Sequence, residues 1–185
     1  MRSRDRNYFE NITRVYFVTT TIVGFLEILD EDIYRIIIND LRYYQDRRDF
    51  VLISYVLMPN HIHLVLNTKE GHSISQCMGN LKRLTSRHIT SYLQNNNDLY
   101  ILEMLKNNAA LEPAKDCRVW KPRFDCLVIF KEETLIQKIQ YCHLNPVRKG
   151  LAITPEDWPC SSARNYAERK DILLEVDCDW KCLAC

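Results

Sequence analysis

The alternation of apolar and polar positions divides the chain into short strands and longer helical segments. Val15 to Val23 (VYFVTTTIV) is rich in β-branched and aromatic residues and predicts a strand. Asp30 then reads as an N-cap, with Glu31 and Asp32 in the first turn and Ile33, Ile36, Ile37, Leu41 and Tyr44 recurring at helical spacing. Val51 to Leu57 is a second apolar strand, Met58-Pro59-Asn60 supplies a turn, and His61 to Asn67 returns as the other arm of a hairpin. Ser73 to Gln76 fits a capping box, after which Ile74, Cys77, Leu81, Leu84, His88 and Tyr92 trace an apolar stripe that leaves Lys82, Arg83 and Arg87 to one side.

Residues 94 to 117 begin as an Asn-rich linker and include a short helix from Leu99 to Leu105. Extended character resumes from Arg118 to Phe130, a fourth strand, and a last helix runs from about Glu132 to Asn145, where Pro146 interrupts it and Gly150 marks a turn. The order β-α-β-β-α-β, followed by one more helix, predicts an α+β protein with a ferredoxin-like antiparallel sheet and helices packed over one face.

Composition narrows the class. The 185 residues, 46% of them hydrophobic, are enough for one domain with a substantial core. We expect a single unit over 1–185, its core at about 15–166, with a cysteine-containing tail at 167–185. The start Met1-Arg2-Ser3-Arg4-Asp5-Arg6 has no apolar segment behind it, and no run reaches membrane-spanning length, so a soluble, cytoplasmic protein is expected. In that setting the eight cysteines read mostly as buried, reduced thiols rather than a disulfide framework. The spacing Cys178, Cys182, Cys185 leaves two readings open, a metal or cluster site and free thiols. A net charge of +1 announces no nucleic-acid partner, but arginines crowd the N-terminus, Lys82, Arg83 and Arg87 cluster, and Arg118, Lys121 and Arg123 flank Trp120. These groups read either as phosphate contacts or as solvated faces, and Trp120 either as core or as a platform for an unpaired base.

Candidate chemistry centres on "MPNHIHLVL", residues 58 to 66. Strand side chains alternate, so His61 and His63 share a face while Ile62 takes the other. Two such imidazoles can hold one metal ion or can be a hydrogen-bonded structural pair. On the last helix Leu135, Ile139 and Cys142 form an apolar stripe, and Thr134, Lys138, Tyr141 and Asn145 follow the same spacing on the opposite side. A cation held by two imidazoles and the Asn145 carboxamide oxygen, beside a tyrosine, suits phosphoryl transfer: the cation polarises a phosphodiester and the tyrosine attacks phosphorus. A free tyrosine has a pKa of about 10, so the cation, Lys138 or a water would have to assist its deprotonation.

These residues resemble a known family. His61-Ile62-His63 is similar to the HUH motif of the single-tyrosine transposases, and "YCHLNPVRKGL" followed by "PEDWPCSSA" resembles their REP-associated branch, over about Tyr16 to Tyr166. The resemblance implies that His61, His63 and Asn145 ligate Mg²⁺ or Mn²⁺ and that Tyr141 is the nucleophile. It implies an endonuclease and strand transferase for single-stranded or hairpin DNA that forms a 5′-phosphotyrosine and leaves a 3′-hydroxyl. Lys82, Arg83, Arg87 and Arg148 are the candidate DNA contacts. Both a homodimer that exchanges the tyrosine helix and a monomer are compatible with the resemblance. The chain departs from the branch in reading Asn11-Ile12-Thr13-Arg14 where a Gly-Thr is expected, and Cys160 where a tryptophan is expected. Two other readings of the same residues are a hairpin-DNA-binding regulator whose chemistry has lapsed and a phosphodiesterase that activates water.

Overall fold

A computed structural model describes residues 14–110 and 118–180. The N-terminal arginines at 2, 4 and 6, the end of the 94–117 connection, and Cys117, Cys182 and Cys185 lie outside the described residues. Four strands, β1 (Val15–Thr21), β2 (Phe50–Met58), β3 (His61–Thr68) and β4 (Asp125–Val128), form one antiparallel sheet in the order β2-β3-β1-β4. This is the ferredoxin-like order expected from the sequence. The tight turn at Pro59-Asn60 places β3 beside β2, and β1 pairs with the other edge of β3.

Helix α1 (Glu31–Asp46) starts as predicted, with the Asp30 carboxylate accepting from Ile33 N–H at 2.9 Å. Helix α2 (Ile74–Asn95) opens with a complete Ser73/Gln76 capping box. Its buried stripe, Ile74, Cys77, Leu81, Thr85, Ile89 and Leu93, drifts one position from the expected one after Leu81. His88 is consequently turned outward, where it pairs with the buried Asp40 carboxylate at 2.8 Å. Helices α3 (Leu99–Ala110) and α4 (Glu132–Arg148) follow, with a one-turn α5 (Ala163–Tyr166) beyond.

The helices do not share one face of the sheet. Tyr16, Val18, Leu52, Leu57, Ile62, Leu64 and Leu66 meet α1 and α2, whereas Val15, Ile53, Val56, Met58 and Val65 meet Leu135, Ile139 and Cys142 of α4. Strands β2 and β3 therefore bury both faces, which is why they read as nearly continuous apolar runs. The histidine face is the α4 face.

Two element boundaries also differ from expectation. Pro146 does not end the last helix, which runs on to Arg148: proline lacks an N–H, but it sits in the final turn, where Lys149, Gly150 and Leu151 still donate to the carbonyls of Asn145, Val147 and Pro146. The fourth strand is confined to Asp125–Val128, because residues 118–124 turn away after a single bridge between Trp120 and Ile22. Trp120 is buried and donates from Nε1 to Thr85 Oγ1 at 2.8 Å, so it belongs to the core and is not a stacking platform.

The far edge of the sheet is covered by the chain itself. Leu57 N–H donates to Cys160 C=O and Ser162 N–H to Tyr55 C=O, which lays residues 160–162 along β2 and leaves that edge unavailable for pairing. The packed region also extends past 166: Asp177 N–H donates to Leu52 C=O and Trp180 is buried against the α4 side of the core. Of the cysteines described, Cys77, Cys142 and Cys160 are buried, the Cys77 thiol donating to the Asp49 carbonyl, and Cys178 is exposed.

Candidate functional site

The register of β1 and β3 assembles the site. Thr19 lies opposite His63 and Thr21 opposite His61, while Asp125 of β4 lies opposite Thr19 on its other side. The His61 and His63 rings are together on the α4 face, centroids 4.7 Å apart.

Each imidazole is held by its Nδ1. His61 Nδ1 is 2.6 Å from Asn60 Oδ1, and Asn60 Nδ2 donates to the Phe25 carbonyl at 3.3 Å. A backbone carbonyl only accepts, so the carboxamide must turn its oxygen to His61, whose Nδ1 then carries the proton and whose Nε2 carries the lone pair. His63 Nδ1 is 2.7 Å from Thr19 Oγ1, and its Nε2 is buried with no hydrogen-bond partner among the described residues. Burial pushes the His63 imidazole down to about 3, with the charges of His61 and Lys138 adding to the effect. His61 is held below its ordinary value by burial and then by Lys149. Both rings are thus neutral near pH 7, the state a metal ligand requires.

Helix α4 crosses above this pair. The row Thr134, Lys138, Tyr141, Asn145 is not on the side opposite the apolar stripe, as its spacing suggested, but on the flank next to it. On a helix of 3.6 residues per turn these positions sit about 40–120° from Leu135 and Cys142, close enough to bend over the sheet. Tyr141 accordingly sets its ring edge-on to His63 (5.1 Å) and to Phe17 (5.7 Å), while Phe17 stacks on His63 at 5.3 Å. Lys138 Nζ lies 5.6 Å and Arg148 Cζ 5.8 Å from the Tyr141 ring centre. Asn145, one turn beyond Tyr141, is buried. The structure therefore brings Tyr141, His61, His63 and Arg148 to one face, with Asn145 on the same flank of α4.

Lys82, Arg83 and Arg87 do not join them. Lys82 Nζ donates to the carbonyls of Lys121, Pro122 and Arg123 at 2.6, 3.0 and 3.4 Å, an anchor for the loop before β4. Burial, and then Arg118, bring its ammonium down to about 8. Arg83 and Arg87 are exposed on α2, on the opposite side of the sheet from the histidines; Arg83 donates to Asn80 Oδ1. The residues that sequence reasoning missed are those that orient the site: Thr19, Asn60 and Phe17. Asn60 was visible as the neighbour of His61, but Thr19 is identified only by the strand register.

A donor set of two neutral imidazole nitrogens and a carboxamide oxygen fits a divalent cation such as Mn²⁺, with Mg²⁺ the harder alternative. The buried, partnerless His63 Nε2 carries that fit, since an orphaned ring nitrogen in a core is otherwise costly. Among the described residues, no group of three or more His, Cys, Asp or Glu side chains forms a metal site.

An antiparallel ferredoxin-like sheet with paired histidines beneath a tyrosine-bearing helix is the architecture that the motifs led us to expect of single-tyrosine transposases. Comparison with known proteins bears out that resemblance. Residues 26–105, which include both histidines, match the family described as Transposase IS200 like. A curated Haemophilus influenzae protein named as a REP-associated tyrosine transposase is 24% identical over 114 residues, 61% of this chain and 58% of that protein, so the chain spans little more than half the length of the curated relative it matches. A solved REP-associated tyrosine transposase, bound to a REP hairpin, shares the fold with a TM-score of 0.65 at 18% identity, over 90% of this chain and 87% of that one.

Proposed function

We propose that this chain is a transposase-like, metal-dependent endonuclease and strand transferase for single-stranded, hairpin-forming DNA. The observation that carries the reading is the convergence of Tyr141 on His63 and His61 over one face of the sheet, in a chain whose sequence matches the IS200-like transposases. The similar solved protein, bound to a REP hairpin, supports DNA as the partner.

In this reading His61 Nε2, His63 Nε2 and the Asn145 carboxamide oxygen hold Mg²⁺ or Mn²⁺. The bound ion supplies Lewis-acid polarisation of a phosphate oxygen. Asn60 holds His61 in the ligating tautomer, and Thr19 fixes the orientation of the His63 ring. Tyr141 Oη attacks phosphorus and loses its proton to solvent; a P–O bond to the tyrosine forms as the P–O bond to the 3′ oxygen breaks, and that oxygen leaves as a 3′-hydroxyl. Lys138 and Arg148, beside the Tyr141 ring, offset the phosphate charge. The tyrosyl phosphodiester retains the energy of the broken bond, so a second 3′-hydroxyl can reverse the step and rejoin strands.

The test is a denaturing gel of protein, Mn²⁺ and labelled hairpin oligonucleotides drawn from the DNA flanking its gene. A protein–DNA band that disappears in Tyr141→Phe and on adding EDTA supports the proposal. Cleavage that persists in Tyr141→Phe favours the water-activating phosphodiesterase, and tight binding with no cleavage favours the lapsed regulator.

A further inference from the structure

Beside the histidines, across β1, a cavity of about 560 Å³ opens between the end of β1 and residues 121–125. It falls in the size range of small-molecule sites. Thr19, Thr21, Phe25, Lys121, Arg123 and Asp125 are among the residues that line it. Thr19 also bonds His63, so cavity and histidines share a wall. Asp125 stands two strands from His63, about 10 Å at the usual strand spacing.

The lining is built rather than incidental. Phe25 ends the short turn Val23–Phe25 and is held at φ +57°, a left-handed conformation that L side chains seldom adopt and that persists where surrounding structure enforces it. The enforcement is visible: Asn60 Nδ2 donates to the Phe25 carbonyl, and Gly24, at φ +62°, lies so close to the Asn108 side chain of α3 that any Cβ would collide with it. The outcome is a large aromatic ring left 63% exposed, with Lys121 Nζ 3.2 Å from its centre. The 121–123 lining is fixed by the Lys82 ammonium on three loop carbonyls. An exposed ring under a cation, a second cation at Arg123, and an exposed carboxylate with lining hydroxyls are what an unstacked nucleotide needs: a π surface for the base, positive charge for the phosphate, and an acceptor for its edge.

We infer that this cavity is a base-reading subsite, in which Phe25 stacks an unpaired base of the bound strand and Asp125 accepts hydrogen bonds from that base's amino group. A carboxylate only accepts, so guanine, adenine and cytosine are admitted, while thymine, which offers carbonyl oxygens flanking a single N–H, is disfavoured. The inference rests on the DNA reading above and adds to it a residue-level source of sequence preference. Lys82 is then a positioning residue for the subsite rather than a phosphate contact.

The experiment is fluorescence anisotropy of the full chain, without metal, against labelled twelve-nucleotide dC and dT homopolymers, comparing wild type with Asp125→Asn and Phe25→Ala. Wild type is expected to bind dC about tenfold more tightly than dT. Asp125→Asn, whose carboxamide both donates and accepts, is expected to erase that preference while keeping overall affinity. Phe25→Ala is expected to weaken both oligonucleotides severalfold. Equal binding of dC and dT by wild type, an unchanged preference in Asp125→Asn, or no binding of either strand overturns the subsite. Because the assay needs neither cleavage nor Tyr141, a dC preference without a covalent adduct would retain the subsite and remove the chemistry. An adduct without base preference would do the reverse.

Discussion

Thr19→Val removes one hydroxyl and changes almost nothing else, which makes it an incisive probe of how the site is held. Among the described residues Thr19 Oγ1 is the one hydrogen-bond partner of the His63 ring, at 2.7 Å from Nδ1, and His63 is 5% exposed. Valine has nearly the same shape and favours strands, so the sheet should persist. The imidazole would then be buried with neither nitrogen satisfied, at a cost of about 1–3 kcal/mol. Valine's better strand propensity offsets up to about 1 kcal/mol of this. For a chain of this size the remaining loss, up to about 3 kcal/mol, lowers Tm by roughly 2–4 °C per kcal/mol. The ligand is also no longer oriented, and loss of such an outer partner typically weakens metal binding about 10–100-fold. The assays are differential scanning calorimetry of the metal-free protein and calorimetric titration with MnCl₂, with Thr19→Ser, which restores the hydroxyl, as the control. A lower Tm with unchanged Mn²⁺ affinity would refute the orienting role of Thr19. Unchanged Tm and affinity would refute the hydrogen bond itself.

Other consequences are as direct. His143 is enclosed beside Ser54 and Ser162, and burial pushes its imidazole down to about 4. The unfolded chain binds its proton between about pH 6.5 and 4 and the folded chain does not, so stability is complete above pH 6.5 and falls on acidification, by roughly 2 kcal/mol at pH 5 from this group. Urea titrations at pH 7 and 5 should show that loss, and His143→Gln should reduce it. Arg148→Ala should weaken DNA binding severalfold and lower its salt dependence, whereas Arg83→Ala and Arg87→Ala, on the other side of the sheet, should leave adduct formation on an unstructured oligonucleotide unchanged. Lys82→Met strips three carbonyls of their donor and should lower Tm by several degrees while increasing hydrogen exchange in residues 121–123.

What could be read in advance was local. The hairpin at Pro59-Asn60, the caps at Asp30 and Ser73, and the common face of His61 and His63 follow from turn chemistry, side-chain hydrogen bonds and the two-residue period of a strand, none of which needs a distant partner. The four-strand order followed from the sequence of elements. What could not be read depends on how elements are laid against one another. The Thr134–Asn145 row was recognisable as polar, but whether it faced solvent or leaned over the sheet depended on the placement of α4 on the face opposite α1 and α2. The same placement separates Arg83 and Arg87 from the histidines. Lys82 looked like a phosphate contact because its three acceptors are carbonyls of a loop some forty residues away. Thr19 carries no signal of its own; only the pairing of β1 with β3 makes it the partner of His63.

The central claim is that Tyr141 becomes covalently joined to DNA. The measurement that tests it most directly is mass spectrometry of proteolytic fragments from wild-type protein incubated with Mn²⁺ and a hairpin oligonucleotide, then digested with nuclease to leave a short nucleotide remnant. The expected result is a single modified peptide, from within α4, whose fragment ions place a 5′-phosphate-linked nucleotide on Tyr141. A remnant on any other residue, or cut DNA with no modified peptide at all, would contradict it.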